Sequence, residues 1–397
     1  MILKAFKLRL YPNKTQRNQI HVNLGCARFV WNQMLNMHIE RYKNNKKAKF
    51  QGRYSMDVML KALKIEYPWL KQAESTSLQR VNRDLDDAFQ RFFNPDLQNG
   101  FPRFKSKKNT NQSYTSKFVN NNIRIVDEHH IKLPKLGLVY FKAGRILTGK
   151  IRAVTVSVNS RKQYQASILV ESENQTFKKT KKSVGIDLGL KSLTITSDGQ
   201  KEDILKVDDR LNKQLRIWER KKSRRYENAK KAMAFDEHDK VLFPRTDLKQ
   251  FPRYQQAVRT VAKLKKHIAE RRRDNLHKLT TRLVKDYDTI VVENLSVKNM
   301  MKNHHLSASI ANASWGTLIS QLKYKCAWYG KKLIIIDPKN TSRICHECKK
   351  KNHEFDSLSQ SEWLAAREWD CPNCHAHLDR DVNAAKNILA KGLETLS

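Results

Sequence analysis

The chain has 397 residues, of which 78 are Lys or Arg and 39 are Asp or Glu, giving a formal net charge of +39. This basic excess repels itself unless a polyanion neutralises it, so the composition predicts a nucleic-acid partner. No run approaches the ~20 apolar residues that a membrane-spanning helix requires, which argues against a membrane protein. The opening residues alternate apolar and basic side chains, a pattern typical of a strand and not of a signal peptide. We therefore expect a soluble intracellular protein.

The N-terminal part of the chain combines one strand with a long helical block. The alternation of apolar and basic side chains predicts the strand over residues 2–11. Apolar residues then recur at three- and four-residue steps over residues 15–93, with a break at Tyr67-Pro68, and this spacing predicts helices. Basic and aromatic side chains alternate along the block, which suits phosphate contacts and base stacking. The alternative for Phe29 and Trp31 is that both face the core of a helix bundle.

A polar, basic connector at residues 101–113 separates the helical block from a group of strands. Short apolar alternations bounded by turn residues predict these strands at Ile123–Val126, Val139–Phe141, Ala153–Val158 and Tyr164–Val170. Together they predict a small β-barrel. Because the strand at residues 2–11 precedes the helical block, one barrel interrupted by a helical insertion accounts for both pieces.

A basic linker near residues 178–182 leads into the second half of the chain. Two apolar strands are predicted in VGIDLGLKSLTITSDG, and a long, very basic helical region follows over about 208–285. Phe-Pro pairs near residues 242–252 interrupt that region, because proline breaks a helix. The remaining segments predict a strand in DTIVVENL, a helix in SWGTLISQLKYKCAWYGKK, a strand in KLIIIDP, a cysteine-rich segment and a final helix in DVNAAKNILAKGLE.

Two Cys-x-x-Cys pairs give the most specific signal for a metal site. They are Cys345 with Cys348, and Cys371 with Cys374. Four thiolates in two short knuckles match the tetrahedral coordination of one Zn²⁺ ion, and such a closed site is structural because it leaves no open position for a substrate. Four nearby histidines are alternative ligands: His346, His353, His375 and His377. Cys26 and Cys326 lie in apolar helical contexts and are expected in the core.

Carboxylates in apolar surroundings stand out on so basic a chain. Asp187 lies in the apolar strand VGIDLG, where burial is costly unless the carboxylate binds a cation or a hydrogen-bond donor. Glu293 ends the apolar strand TIVVE, while Asp379 and Asp381 introduce the final helix. Helix capping accounts for one of these two aspartates but not for both together with the strand acids. In this order the acids fit a ribonuclease H-like fold, in which carboxylates at one edge of a mixed sheet hold two Mg²⁺ ions that act on a phosphodiester.

Ten segments, taken in their order along the chain, match a known family. They are KAFKLRLYPNKTQ, LGCARFVWNQ, FPRFK, FVNNNIRI, KLPKLG, VGIDLG, NLHKLTTRLVKDYDTIVVENL, the SWG-led helix, CHEC and CPNCHAHLDRDVNAAKNI. Over essentially its whole length the chain resembles the TnpB family, RNA-guided endonucleases that are encoded by insertion sequences and related to type V CRISPR effectors. The resemblance implies a multidomain α+β and α/β protein. Its parts would be a split oligonucleotide-binding β-barrel (the wedge) with a helical recognition insertion, and a RuvC-like nuclease domain with an inserted zinc ribbon.

The same resemblance implies domain boundaries and site residues. The boundaries are 1–14 for the first wedge strand, 15–112 for the recognition domain, 113–180 for the rest of the wedge, 181–340 for the nuclease domain, 341–376 for the zinc ribbon and 377–397 for the final nuclease helix. The catalytic, Mg²⁺-binding acids carry over onto Asp187, Glu293 and Asp381. Asp381 is preferred because x-Asn-Ala-Ala follows it directly, which leaves Asp379 as an accessory carboxylate. The zinc ligands carry over onto the four cysteines of the two pairs.

Partners also follow from the resemblance. They are a guide RNA derived from the transposon end and a double-stranded DNA target with a short adjacent motif, with no membrane or small-molecule substrate. Gln79 and Asn120 match family positions near that motif, and a cytoplasmic, nucleoid-associated prokaryotic location is expected. The chain departs from the family where Lys349 replaces the usual Gly after Cys348, so a different turn is expected there. Residues 232–251 form an apparent insertion.

Two other functions compete with a guided nuclease. A guide-directed DNA-binding repressor with a dead nuclease would be expected to lack one of the acids at positions 187, 293 and 381, yet all three are present. A transposase that joins strands itself would need attack by a 3′-OH in an oligomeric synapse.

Overall fold

The computed structural model describes residues 1–97, 99–109, 111–142, 144, 147–159, 161–173, 176–203, 209–231, 248, 250–303, 306–356, 362 and 366–395. The insertion expected at residues 232–251 lies outside these residues except at positions 248, 250 and 251. The chain divides into two compact units, residues 1–174 and 175–397.

The first unit contains a seven-stranded sheet with the order β2-β6-β7-β1-β5-β4-β3. Its strands are β1 (Ile2–Leu10), β2 (Gln112–Lys117), β3 (Arg124–Ile125), β4 (His130–Leu133), β5 (Gly137–Lys142), β6 (Lys150–Val158) and β7 (Tyr164–Ser172). The predicted first strand is confirmed, and it pairs antiparallel with β7 along its whole length and with β5 at its end. Strands that follow the helical block therefore flank the strand that precedes it. Closure of this sheet into a barrel stays a prediction.

In the described part of the chain, three α-helices lie between β1 and β2: α1 (Lys14–Asn44), α2 (Arg53–Glu66) and α3 (Ser75–Phe93). Asn13 and Gln16 form a capping box that begins α1, since each side chain accepts a hydrogen bond from the other's backbone N–H. The predicted break at Tyr67-Pro68 is confirmed, because a short 3₁₀ helix separates α2 from α3 there. Trp31 is buried in the core and Phe29 packs edge-on against neighbouring rings. The core role that the sequence allowed for both aromatics is thus confirmed.

The second unit contains a five-stranded sheet with the order β10-β9-β8-β11-β12. Its strands are β8 (Ser183–Asp187), β9 (Ser192–Thr196), β10 (Lys201–Asp203), β11 (Thr289–Glu293) and β12 (Lys332–Ile336). The first three strands pair antiparallel, whereas β8, β11 and β12 run parallel. Their continuous apolar runs are typical of parallel strands that are buried on both faces. A separate pair, β13 (Glu368–Asp370) and β14 (His377–Asp379), is antiparallel.

The second unit also contains α-helices. They are α4 (Asp209–Lys231), α5 (Pro252–Asp286), α6 (Val297–Met300), α7 (Ser307–Ala313), α8 (Trp315–Tyr329) and α9 (Arg380–Glu394). Helix α5 begins at Pro252, a residue that suits the first helical position because its missing N–H is not needed there. None of the helices in the described part of the chain is long and apolar enough to cross a membrane.

Candidate active site

The ends of two parallel strands bring the first two acids together. Asp187 is the last residue of β8, and Glu293 is the last residue of β11. In the parallel register Val292 pairs with Ile186, so the next residue on each strand lies at the same edge of the sheet. The sequence separates these acids by a long helical region, and strand pairing brings them to one edge.

Helix α9 carries the third acid to this edge. Asp379 caps the helix by accepting hydrogen bonds from the backbone N–H groups of Asp381 (3.0 Å) and Val382 (2.9 Å). The helix then packs closely on β8, because a Cβ atom at Gly185 would lie only 2.1 Å from the carbonyl oxygen of Ala385. A glycine is required at this contact, and it lets the first turn of α9 approach the end of β8.

The surroundings of the two strand acids raise the pKa of each. Desolvation, followed by the negative charges of Glu293 and Asp381, raises the pKa of Asp187 to about 7. Burial likewise raises the pKa of Glu293, although a hydrogen bond from Thr341 and the charge of Lys391 act in the opposite direction. A buried carboxyl group with negatively charged neighbours favours protonation or a bound cation. The donor set is therefore suited to a divalent metal, whose preferred ligands are carboxylate oxygens.

The two aspartates at the start of α9 differ in their contacts. Asp381 accepts hydrogen bonds from Arg380 (2.8 and 3.0 Å) and from Arg367 (3.3 Å). Asp379 forms an ion pair of 2.6 Å with Lys201 in addition to its capping bonds. Desolvation acts to raise the pKa of Asp379, but Lys201 and the backbone donors outweigh it and lower that pKa. These contacts make Asp379 a satisfied cap and favour Asp381 as the third acid.

The four cysteines form a compact group. Their sulfur atoms all lie within 4.8 Å of one another, with 3.7 Å between Cys345 and Cys374 and 3.6 Å between Cys348 and Cys371. A tetrahedron with Zn–S bonds of ~2.3 Å has edges of ~3.8 Å, whereas a disulfide is only ~2.05 Å long. The group therefore fits one zinc ion. In the described part of the chain it alone brings three or more His, Cys, Asp or Glu ligand atoms within that distance, so the acids at the sheet edge are more widely spaced.

The histidines near the cysteines have other partners. His346 contacts Asn383 at 3.0 Å and Lys386 at 2.8 Å, and His377 contacts Asp370 at 2.8 Å. The different turn expected after Cys348 stays a prediction. Lys349 adopts a left-handed conformation with φ 61°, and His375 takes the same conformation, φ 56°, after Cys374. The two knuckles therefore have similar turns, and in each a residue other than glycine adopts the left-handed conformation.

Three residues that the sequence did not single out support the site. The Thr341 hydroxyl donates to the Glu293 carboxylate at 2.5 Å, and the Asn387 side chain donates to the carbonyl oxygen of Thr341 at 2.9 Å. Asn383 donates to the carbonyl oxygen of Ile344 at 2.8 Å. The sequence signal that could have indicated this support is the pair of asparagines spaced four residues apart on the buried face of α9, because buried amides need hydrogen-bond partners.

The two DNA-reading candidates lie in the first unit, and both are exposed. Gln79 is on α3, and Asn120 follows β2 in a left-handed conformation with φ 48°. The hydroxyl of Thr76 in the first turn of α3 accepts a hydrogen bond of 3.0 Å from the backbone of Lys117 at the end of β2. This bond joins the two elements that carry the candidates, whose role stays a prediction.

Family models match three stretches of the chain. A model described as "Probable transposase" matches residues 167–304, one described as "Cas12f1-like, TNB domain" matches residues 315–388, and one described as "Helix-turn-helix domain" matches residues 1–47. In this last stretch the structure has the strand β1 followed by the single long helix α1.

Two similar bacterial proteins carry the name "Putative RNA-guided DNA endonuclease". The protein from Streptomyces pristinaespiralis is 32% identical, over 99% of this chain and 90% of its own length. InsQ from Escherichia coli K12 is 31% identical, over 100% of this chain and 94% of its own length. Less similar mimivirus proteins are named TnpB-like. The chain belongs to the TnpB family.

Solved structures give weaker likenesses. A Cas12f1–sgRNA–target DNA complex matches with a TM-score of 0.35 and 13% identity, over 98% of this chain and 99% of that chain. The mini-RNA-guided endonuclease CRISPR-Cas_phi3 matches with a TM-score of 0.42 and 10% identity, over 98% of this chain and 92% of that chain.

Proposed function

We propose that this chain is an RNA-guided DNA endonuclease that hydrolyses phosphodiester bonds at the sheet edge carrying Asp187, Glu293 and Asp381. The observation that carries this proposal is the placement of Asp187 and Glu293 at the ends of two paired parallel strands, with Asp381 on the first turn of α9. Burial, followed by the negative charges of Glu293 and Asp381, raises the pKa of Asp187 to about 7. A strongly perturbed carboxyl group with charged neighbours is typical of a functional site. The names of the two relatives that match nearly the whole chain support the same activity.

The topology of the second unit supports a ribonuclease H-like, RuvC-like domain. Three antiparallel strands are followed by two strands that run parallel to the first of them, in the order β10-β9-β8-β11-β12. Asp187 and Glu293 stand on strand ends and Asp381 on the first turn of a helix, so rigid elements hold all three carboxylates. When bound, two Mg²⁺ ions supply electrostatic stabilisation of the attacking and leaving oxygens of a phosphodiester. The four-cysteine group would hold one structural Zn²⁺ ion.

The charge of the chain supports two nucleic-acid partners, a guide RNA from the transposon end and a double-stranded target. The formal net charge of +39 suits a partner with many phosphates. Sequence would be read by base pairing with the guide, while the protein recognises shape, backbone and a short adjacent motif. We assign the reading of that motif to Gln79 and Asn120 and the split wedge barrel to the sheet of the first unit. A cytoplasmic, nucleoid-associated location follows from these partners.

The test is cleavage by a complex assembled with its own RNA. The chain is expressed together with the DNA that flanks its gene, and the RNA that copurifies is sequenced. We expect one dominant RNA, and we expect the complex to cut a matching duplex in Mg²⁺, leaving 5′-phosphates, while the Asp187→Ala complex does not cut. A random pool of cellular RNA would contradict guidance, and cleavage by Asp187→Ala at the parent rate would contradict the site.

A transposase is the second candidate, because the family model that matches residues 167–304 is described as "Probable transposase". Such an enzyme would join a 3′-OH end to target DNA. The same complex is incubated with labelled transposon ends and a target plasmid. Joined products would favour this candidate, whereas cut but unjoined DNA favours the endonuclease.

A further inference from the structure

We propose that Thr341 is a positioning residue for Glu293, and that helix α9 holds Thr341 in place through Asn387. This inference rests on the proposed function, because it concerns how one of the metal-binding acids is oriented. It also makes the segment 341–346, which leads into the four-cysteine group, part of the support of the active site.

The contact between Thr341 and Glu293 is short and buried. The hydroxyl oxygen lies 2.5 Å from Oε1 of Glu293, and both residues are buried, with 7% and 6% of their surface exposed. The carbonyl oxygen of Pro338 is also near, at 3.3 Å. A threonine hydroxyl has only one proton to donate. The shorter distance, typical of a bond to a charged acceptor, directs that proton to Glu293.

Helix α9 fixes the backbone on both sides of this contact. The amide nitrogen of Asn387 donates to the carbonyl oxygens of Thr341 (2.9 Å) and Ile344 (2.6 Å). One helical turn earlier, the amide nitrogen of Asn383 donates to Ile344 (2.8 Å), and its oxygen accepts from the backbone N–H of His346 (2.8 Å). A side-chain amide has two donors and one acceptor oxygen, so all four bonds can form at once.

The same helix therefore serves two of the three acids. Its first turn carries Asp381, and its next two turns hold the segment whose Thr341 binds Glu293. One oxygen of the Glu293 carboxylate is occupied by the hydroxyl, which leaves the other for a cation. Without the hydroxyl, the Glu293 side chain loses its orienting bond in a buried setting. Loss of such a hydrogen bond to a metal-binding group weakens metal binding by about 10- to 100-fold.

The experiment compares divalent-metal binding by the zinc-loaded full chain with the metal dependence of cleavage by the RNA complex. Mn²⁺ binding is measured by isothermal titration calorimetry, with the Asp187→Ala chain as the blank, and cleavage is measured over a range of Mg²⁺ concentrations. The variants are Thr341→Val, which keeps the shape and removes the hydroxyl, Thr341→Ser, which restores the hydroxyl, and Asn387→Leu. The matched control is Thr317→Val, an exposed position on α8.

For Thr341→Val we expect Mn²⁺ affinity to fall about 10-fold or more and the Mg²⁺ concentration for half-maximal cleavage to rise equally. The rate at saturating Mg²⁺ should change much less. Thr341→Ser should restore both values, Asn387→Leu should shift them less in the same direction, and Thr317→Val should match the parent. Parent-like Mn²⁺ binding by Thr341→Val would overturn the proposal.

Folding and function are checked separately. Zinc content and melting temperature are measured for every chain, and Thr341→Ala, which adds no new atoms, replaces Thr341→Val if the latter lowers either value. If the parent complex cuts no DNA, the proposed function fails, and the calorimetric comparison still decides the role of Thr341. If the parent cuts and Thr341→Val needs no additional Mg²⁺, only the positioning role fails.

Discussion

The two ends of strand β11 carry acids in opposite electrostatic settings. Asp288 lies just before the strand, where it pairs with the buried Lys331 and accepts hydrogen bonds from the backbone N–H groups of Thr180 and Lys181. The bond from Lys331 is the main reason that the pKa of Asp288 is well below its ordinary value. Glu293 ends the strand, and burial raises its pKa.

Under the proposed function, this difference separates an acid that stabilises the fold from acids that would bind a metal ion. At the Asp288 end the charges are matched, so ionisation favours the folded chain. At the Glu293 end Arg380 and Arg367 bind Asp381, yet burial and negative neighbours still raise the pKa of Asp187 and burial raises that of Glu293, which costs stability and suits a cation. Active sites commonly trade stability for function in this way. The sequence shows both residues as acids beside an apolar strand, and only their contacts tell them apart.

Glu293→Gln tests the functional end and has the largest expected effect. Gln keeps an oxygen that can accept the Thr341 hydroxyl, but it removes the charge that would hold a cation. We expect the cleavage rate of the RNA complex to fall on the order of a thousandfold. The free energy of unfolding, measured with urea, should stay equal or rise by up to about 1 kcal/mol because a charge repulsion is relieved. A clear loss of stability would contradict the comparison.

Asp288→Asn tests the structural end. It leaves the buried Lys331 without its carboxylate partner, although Lys331 still donates to the carbonyl oxygen of Lys178. Because Asp288 is only half-buried, we expect a cost of about 2 kcal/mol. We expect urea unfolding to show this loss, while the cleavage rate well below the melting temperature stays within about twofold of the parent, an effect of less than 1 kcal/mol. Asp286→Asn, an exposed acid at the end of α5, is the control and should change neither value.

The pH dependence of the unfolding free energy tests whether ionised Asp288 stabilises the folded chain. The pKa of Asp288 is lowered in the folded chain, so its stabilisation is present above the unfolded value of ~3.9 and is lost as the pH falls through the folded pKa. The difference in unfolding free energy between the parent and Asp288→Asn should therefore be constant from about pH 5 to 8 and shrink below about pH 4. A difference that persists unchanged at pH 3 would contradict the ion-pair explanation.

The four-cysteine group and the order of the acids along the chain could be predicted from the sequence, because each is marked by a short sequence pattern. Two Cys-x-x-Cys pairs fix their own geometry, and an acid that ends an apolar strand is visible within five residues. From the sequence, only the family resemblance favours Asp381 over Asp379. The structure adds a physical reason, since Asp379 is satisfied as a helix cap and by Lys201.

The remaining strands and the residues that support the candidate site depend on tertiary contacts, which leave no local pattern in the sequence. Strands β2 and β4 were not predicted, because QSYTSK and HIKL carry too few apolar residues for an alternation to be recognised. Thr341 and Asn387 are ordinary polar residues until the fold places them beside Glu293. The role of Gly185 likewise appears only when α9 packs on β8.

Gly185→Ala would test whether the close packing of α9 on β8 holds the candidate active site together. A Cβ atom there would meet the carbonyl oxygen of Ala385 at 2.1 Å and the backbone nitrogen of Leu389 at 2.6 Å, so α9 must shift. Overpacking of this kind costs about 2 kcal/mol. Since α9 carries Asp381, cleavage should fall as well, unlike in Asp288→Asn. Gly316→Ala, where a Cβ atom meets nothing within 4 Å, is the control and should not lower stability. Equal behaviour of the two variants would rule out close packing as the cause.

Lys349→Gly has the smallest expected effect. It tests whether the strained backbone of Lys349, unlike the raised pKa values at the Glu293 end, is unrelated to cleavage. Lys349 holds φ 61° in the first knuckle, a left-handed conformation that costs a non-glycine residue about 1 kcal/mol. Glycine relieves this cost, so we expect slower zinc release to a chelator and unchanged cleavage. Lys350→Gly should give no gain, because Lys350 is not among the left-handed residues of the described chain. Faster zinc release from Lys349→Gly would show that the lysine side chain stabilises the knuckle. A change in cleavage would extend the functional region beyond the Glu293 end of the sheet.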